Sequence, residues 1–154
     1  MIHADLLIGL PEEQASQVLA LGKRIVLNTG AELFRLGDVA DSIYLVARGR
    51  MRLTLPMQVR SHEEDVLVEE RSSGQTVGWS ALTPPYRYTL TATAAIDTEV
   101  TVLPREVLHS YFATHPDTGY AVSMNLSNVI GHRLQLFQAM WLREIQRMVE
   151  MRCA

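Results

Sequence analysis

Short runs of β-branched, aromatic and other apolar residues, separated by glycine, fill the chain between Lys23 and Leu103. Such runs favour strands, because branched and aromatic side chains pack well on a pleated sheet. Several short strands at this spacing are typical of a β-sandwich or barrel. We therefore predict a mainly β fold, with strands in the runs KRIVL, AELFRL, SIYLVARG, RMRLTL, DVLVEE, YTLTATAA and TEVTVL.

One of these runs alternates in polarity from residue to residue. Met51, Leu53 and Leu55 fall on one side of the predicted strand, and Arg52 and Thr54 fall on the other. Alternation of this kind is expected of an antiparallel sheet that has one face on the core and one in water. We predict that the core lies between two such sheets.

The connections between strands have two signatures. The polar segment 58–64 carries charges of both signs, which predicts a solvated hairpin loop. Glycine breaks predict tight turns with positive φ, a conformation that glycine adopts without a steric penalty. These breaks are Gly30, Gly37, Gly49, Gly74 and Gly78.

Helical patterns flank the β-rich region. Residues 10–22 predict a leading helix, because Pro11 suits a first helical position and Gly22 suits an end. A short helix is predicted after Pro104 and through Tyr111.

A longer helix is predicted from Asp117, a suitable N-cap, to Met151. It would be about 50 Å long, which exceeds what the β region can cover. We therefore predict a homodimer through this helix; the alternative is a break near Gly131 that folds the two halves back as core helices. Its apolar residues recur every three or four positions, as in a coiled coil, at Val122, Leu126, Ile130, Leu134, Phe137, Trp141, Ile145 and Met148.

Composition limits the class of protein. The 154 residues, 47% hydrophobic and 20% charged, are expected to form one globular unit rather than a disordered chain. A net charge of −3 argues against binding DNA or anionic membranes through overall charge. The single cysteine, Cys153, excludes an intrachain disulfide, and the sequence contains neither a signal peptide nor a membrane span, so we predict a cytoplasmic protein.

The segment 74–94 has the features of an anion site. Two glycines lead into a short turn of small residues, and Arg87 follows the Pro84-Pro85 step. Backbone N–H groups at such a turn can converge on a negative group, and a guanidinium can pair with it in bidentate fashion. The spacing by itself is only moderately specific for this chemistry.

The sequence resembles the cyclic-nucleotide-binding domains of the catabolite activator protein and FNR type. The resemblance extends over about residues 10–150. It depends on the glycines at their mutual distances and on the order of leading helix, β region and long helix. The residues that carry it are Gly30, Phe34, Gly37-Asp38, Asp41-Ser42, the run IYLVARG through Gly49, and Gly74 to Arg87.

The resemblance implies a double-stranded β-helix, or cupin-like jelly roll, with an N-terminal helix and a long C-terminal helix. It divides the chain into a ligand-binding unit with its leading helix, residues 1–116, and a dimerisation helix, residues 117–154. It also implies that segment 74–94 is a phosphate-binding cassette and that a cyclic nucleotide, cAMP or cGMP, is the effector. The implied ligand-binding residues are Gly78, Trp79, Ser80, Ala81, Leu82, Arg87 and Tyr88.

The cassette departs from the family pattern at two places. The family has a glutamate, where Trp79 stands here, that holds the ribose hydroxyl; an indole N–H donates but cannot accept a hydrogen bond. Ser80 could supply part of the missing acceptor, or Trp79 could stack on a flat ligand or fill the pocket. The phosphate arginine of the family matches Arg87, although counting back from the run TEV puts it one position later, at Tyr88. A shift of one residue in a strand turns a side chain to the other face.

Catalytic chemistry has no support in the sequence. None of the five histidines forms a closely spaced pair in a predicted strand, as a cupin metal site would need. Ser80 lacks a base, and Cys153 lies near the chain end. The arginines of the last helix, Arg133 among them, are interpreted as a solvated face, and direct DNA binding is not expected because no helix-turn-helix segment follows the helix.

Two functional hypotheses follow. In the first, the chain is a non-enzymatic sensor that binds a small anionic effector and signals through its long helix to a protein partner. In the second, the module has lost its effector and serves as a structural or interaction dimer, with Trp79 filling the old pocket.

Overall fold

The computed structural model describes residues 3–154 and contains two four-stranded antiparallel sheets flanked by helices. The strands are β1 Lys23–Leu27, β2 Glu32–Phe34, β3 Ser42–Arg48, β4 Arg50–Val59, β5 His62–Ser72, β6 Thr76–Val77, β7 Thr91–Ala94 and β8 Thr98–Pro104. The helices are α1 Glu12–Ala20, α2 Arg105–Thr114 and α3 Pro116–Cys153, and short 3-10 turns span Asp5–Leu7 and Trp79–Leu82.

The strand order is β1-β8-β3-β6 in one sheet and β2-β7-β4-β5 in the other. Buried side chains from both sheets form one core, with Ile43 and Val100 from the first and Met51 and Leu53 from the second. The mainly β prediction and the core between two sheets are therefore confirmed. The finer prediction of a jelly roll is not confirmed, because neither sheet closes on itself within residues 3–154.

The predicted glycine turns are confirmed at all of their positions, where φ lies between 80° and 107°. Gly49 illustrates the constraint. A Cβ there would lie 2.5 Å from the Thr98 Oγ1 atom and 2.8 Å from the Asp97 carbonyl oxygen. The tight connection between β3 and β4 therefore needs glycine for space as well as for φ.

The alternation predicted for β4 fails at Thr54, which is buried. Leu53 pairs with Glu69 but Thr54 pairs with Leu67, so the ladder skips Val68 and contains a β-bulge. A bulge changes the face that the following side chains occupy. Thr54 consequently points to the core, and Leu55 is only half-buried.

The hairpin predicted at 58–64 is present, but its loop is much shorter than predicted. β4 continues through Val59 and β5 begins at His62, which leaves Arg60 and Ser61 as the turn. Backbone pairing of Gln58 with Glu63 extends the ladder through residues whose polarity suggested a loop. Polarity misled the prediction because these side chains are exposed to solvent although their backbone is paired.

The helices begin and end close to the predicted residues. The leading helix is shorter than predicted, with Pro11 just before its first residue, and α2 continues beyond Tyr111 to Thr114. The α3 helix is continuous over 38 residues, so the alternative of a break at Gly131 is wrong. The prediction of Asp117 as its N-cap is also wrong, because His115 is the N-cap and Asp117 lies in the first turn.

The first half of α3 packs on the rest of the protein and its second half extends away. Val122 and Leu126 are buried, and the Asn125 Nδ2 atom donates hydrogen bonds to the carbonyl oxygens of Leu6 and Ile8 at 2.9 and 2.8 Å. From Leu134 to the helix end, only Ile145 is not exposed.

Candidate functional site

The cassette begins where β6 ends. Gly78 has φ 80° and connects β6 to the 3-10 turn Trp79–Leu82. A Cβ on Gly78 would lie 3.1 to 3.3 Å from the rings of Tyr88, Tyr44 and Phe34. Glycine is therefore needed because three aromatic rings approach the backbone at this point.

The cavity beside the turn is almost filled by side chains. Its volume is about 20 Å³, room for a single water molecule. The residues that line it are Phe34, Leu53, Gly78, Trp79, Ser80, Tyr88, Thr89, Leu90 and Arg133. The structure thus brings together four of the predicted ligand-binding residues, Gly78, Trp79, Ser80 and Tyr88.

Tyr88 fills much of this space. Its ring is 4% exposed and stacks on Phe34 with 3.7 Å between ring centroids. The Tyr88 hydroxyl donates a hydrogen bond to the Ser42 carbonyl oxygen at 2.7 Å. Burial, with a further contribution from the Tyr44 hydroxyl, raises the pKa of Tyr88. Tyr88 is thus a neutral side chain that is fixed at both ends.

Arg87 lies outside the cavity. Its side chain is exposed, and its Nη1 atom donates to the Gly37 carbonyl oxygen at 3.1 Å. The backbone of Arg87 forms an isolated bridge with Val39. Successive residues of this extended segment therefore point in opposite directions, with Arg87 toward solvent and Tyr88 toward the cavity.

The remaining predicted residues support the turn from behind. Ala81 is buried and Leu82 packs against the core. The Ala81 carbonyl oxygen accepts a hydrogen bond from Arg105 Nη1 at 2.9 Å, and the same nitrogen donates to Ala40. The Arg105 guanidinium also lies 4.1 Å from the centroid of the Tyr86 ring. Arg105 thus fixes the cassette to the start of α2, a role that the sequence analysis missed.

Arg133 is the charged residue that lines the cavity, and its interpretation as part of a solvated face is wrong. It is 8% exposed, and its Nε and Nη2 atoms both donate to Glu69 Oε2, the first at 2.7 Å. Arg133 follows the buried Leu126 by seven positions and therefore lies on the same face of α3. That spacing could have revealed its burial.

Glu69 serves two buried guanidinium groups at once. Arg71 Nη1 lies 3.4 Å from Glu69 Oε1, and Arg133 occupies the other carboxylate oxygen. Burial lowers the pKa of the Arg133 guanidinium, and the nearby Glu69 charge opposes this effect. The cluster Glu69-Arg71-Arg133 joins α3 to β5 beside the cassette.

The comparisons with known proteins agree with this fold. Residues 24–115, more than half of the chain, match the family model described as a cyclic nucleotide-binding domain. The chain belongs to the cyclic nucleotide-binding domain family. Membership indicates a ligand-binding regulatory module as the class of function.

Among solved structures, the catabolite activator protein of Thermus thermophilus is 25% identical with a TM-score of 0.75, covering 90% of this chain and 62% of that one. The regulatory domain of Toxoplasma gondii PKA, a co-crystal structure with cAMP, is 19% identical with a TM-score of 0.68, covering 85% and 46% of the respective chains. The latter similarity concerns the fold alone.

A curated relative is the lysophospholipase nte1 of Aspergillus fumigatus, 29% identical over 111 residues. The match covers 72% of this chain and 7% of that protein, and the other curated relatives are matched over an equally small part of their length.

Among residues 3–154, no cluster of three or more His, Cys, Asp or Glu side chains could hold a metal, and no helix is long and apolar enough to cross a membrane.

Removing the Tyr88 hydroxyl tests how firmly the cyclic nucleotide-binding cassette is closed. Tyr88→Phe leaves the buried Ser42 carbonyl without this donor, which we expect to cost about 1–2 kcal/mol of unfolding free energy. Urea unfolding at neutral pH measures the loss. The matched control is Tyr120→Phe on α3, where the side chain is 71% exposed. Equal stability of the two variants would contradict the closed description.

Proposed function

We propose that this chain is a regulatory interaction module of the cyclic nucleotide-binding family whose cassette is closed by its own side chains and whose α3 helix pairs with a second copy. The observation that carries the proposal is the filled cavity of about 20 Å³ beside the 3-10 turn. Pockets for small molecules are typically hundreds of Å³ in volume. A cyclic nucleotide would therefore need several side chains to leave.

The free energy needed to open the cassette cavity supports this proposal. Tyr88 would have to give up its stacking on Phe34 and its hydrogen bond to Ser42. Each of these interactions contributes on the order of 1 kcal/mol. Trp79 would also have to move from the turn, and it offers no acceptor for a ribose hydroxyl.

The charged residues around the cavity also support a closed cassette. Arg87, the residue matched to the phosphate arginine, is directed to solvent. Arg133 does line the cavity, but Glu69 already accepts two of its N–H groups. A cyclic phosphate entering this space would have to compete with the half-buried carboxylate of Glu69.

The exposed part of α3 provides the interaction surface of the module. Leu134, Phe137, Trp141 and Met148 lie along one side of the helix and are exposed. Large contiguous apolar surfaces mark sites of protein association. We assign residues 1–116 to the cyclic nucleotide-binding-like unit and residues 117–154 to the pairing of two copies, with a further protein as a partner of the module. The module acts in the cytoplasm, without catalysis, DNA contacts or membrane contacts of its own.

The second candidate is a sensor of cAMP, cGMP or a similar small anion. The match to the family model favours it because residues 24–115 include the whole cassette. The structure of the Toxoplasma gondii regulatory domain, whose description names cAMP, supports the same idea by similarity of fold. In this hypothesis the ligand opens the cavity, and Arg87 turns inward to hold the phosphate.

Thermal unfolding in millimolar cAMP and cGMP distinguishes the two functions. A ligand present at 100 times its dissociation constant stabilises a domain of this size by ~2.7 kcal/mol and raises Tm by about 5–10 °C. We expect no measurable shift for the wild-type protein. The noncyclic nucleotide AMP serves as the control for nonspecific effects.

Two variants make the experiment decisive. Trp79→Glu introduces the acceptor of the family pattern, and a shift seen in this variant alone would support closure by Trp79. Arg87→Ala removes the candidate phosphate contact. A wild-type shift that disappears in Arg87→Ala would overturn the proposal in favour of the sensor.

A further inference from the structure

A second cleft, separate from the cassette cavity, lies between α3, the N-terminal 3-10 turn and the end of β5. Its volume is about 280 Å³, close to the lower end for ligand pockets. No residue lines both this cleft and the cassette cavity. The cleft is lined by Asp5, Ile8, Arg71, Gln75, Asn125, Asn128, Val129 and His132.

Arg71 supplies positive charge to this cleft. It is 8% exposed, and its buried Nε atom has no hydrogen-bond partner within residues 3–154. Its Nη1 atom shares Glu69 with Arg133, so one carboxylate faces two guanidinium groups. A buried charge that is incompletely paired is costly unless another group compensates it.

The other polar groups of the cleft are mostly able to donate. Asn128 and His132 are exposed on α3, one turn apart, and both line the cleft. Gln75 Oε1 accepts bonds from the Ser72 backbone nitrogen and hydroxyl, which leaves its Nε2 atom as a donor.

Asp5 is the acidic residue of the lining. Its two carboxylate oxygens accept hydrogen bonds from the backbone nitrogen of Thr76, at 3.0 Å, and from the Thr76 hydroxyl. These bonds hold the carboxylate against β6. Ile8 and Val129 add apolar surface to the same cleft.

We propose that this cleft binds a small organic anion, with a phosphate or carboxylate headgroup at Arg71, Asn128 and His132 and a short apolar tail against Ile8 and Val129. The headgroup would complete the pairing of Arg71, because an oxyanion is the natural partner of a guanidinium. The proposal goes beyond the proposed function because the cleft shares no lining residue with the cassette cavity.

A titration followed by backbone amide NMR tests the proposal with the full chain. The probes are inorganic phosphate, butyl phosphate and butyrate at millimolar concentration, with sodium chloride at equal ionic strength as the control. We expect saturable shifts at Gln75, Asn128 and His132. If only butyl phosphate or only butyrate produces these shifts, the result identifies the headgroup as a phosphate or a carboxylate. Tighter binding of butyl phosphate than of inorganic phosphate would support the contact of the tail with Ile8 and Val129.

Variants test the assignment of residues. His132→Gln is on the surface and should fold, and we expect it to weaken binding about tenfold. His109→Gln, at an exposed position of α2 outside the cleft, should bind like the wild type. Arg71→Gln should abolish the shifts if it folds. Absence of saturable shifts, or equal affinity in the two histidine variants, would overturn the proposal.

Discussion

Trp141→Glu is expected to convert the proposed dimer of about 35 kDa into a monomer of 17.3 kDa. Trp141 is 68% exposed and lies near the centre of the apolar side of α3, between Phe137 and Met148. Pairing of two helices along this side would bury the introduced carboxylate in each copy. Because burial of an unpaired charge costs several kcal/mol, the dissociation constant of the dimer should rise at least about 100-fold.

Sedimentation velocity over a range of micromolar concentrations measures this change. Ala139→Glu is the matched control, because it adds the same charge two residues away on the opposite side of the helix. We expect Ala139→Glu to remain dimeric. A monomeric wild type, or equal dissociation of both variants, would contradict pairing through this surface.

Among the substitutions described for this protein, Glu69→Gln is expected to lower the free energy of unfolding most, by about 3–5 kcal/mol. The substitution leaves Arg71 and Arg133 buried without their shared counter-charge. Arg133→Met should cost less, because Met retains an apolar stem and Glu69 keeps its contact with Arg71. Urea unfolding of the two variants gives the comparison.

The control for this pair is Glu64→Gln on the same strand, where the carboxylate is exposed and lies 3.7 Å from His62 Nε2. Surface changes of this kind usually fall within about 0.5 kcal/mol. If Glu69→Gln were no more destabilising than Glu64→Gln, the cluster would contribute little to the attachment of α3.

Features governed by local chain geometry could be predicted from the sequence. The positive φ angles at Gly49 and Gly78 follow from the preferences of single residues. The start of α3 was predicted to within one residue, although its N-cap is His115 and not Asp117. The strand runs were also predictable, because their composition favours sheets whatever their partners.

Features that depend on the pairing of distant segments could not be predicted. The burial of Thr54 arises from a bulge opposite β5, and the contact of Arg105 with Ala81 joins residues 24 positions apart. In the cassette, the sequence narrowed the arginine of the family pattern to position 87 or 88. Only the three-dimensional structure shows which of the two side chains points inward, because adjacent residues of an extended segment face opposite ways.

The α3 helix continues beyond its last buried residue, so a small change of angle at that residue would displace the far end of the helix by a larger distance. Its fulcrum is Arg133, held by Glu69, and the arm from there to Cys153 is about 30 Å long at 1.5 Å per residue. A tilt of about 10° at the fulcrum would swing the far end by roughly 5 Å, as much as one helical turn. Because Val122, Leu126 and Asn125 hold the first half of α3 in place, such a displacement would require the helix to bend near Arg133.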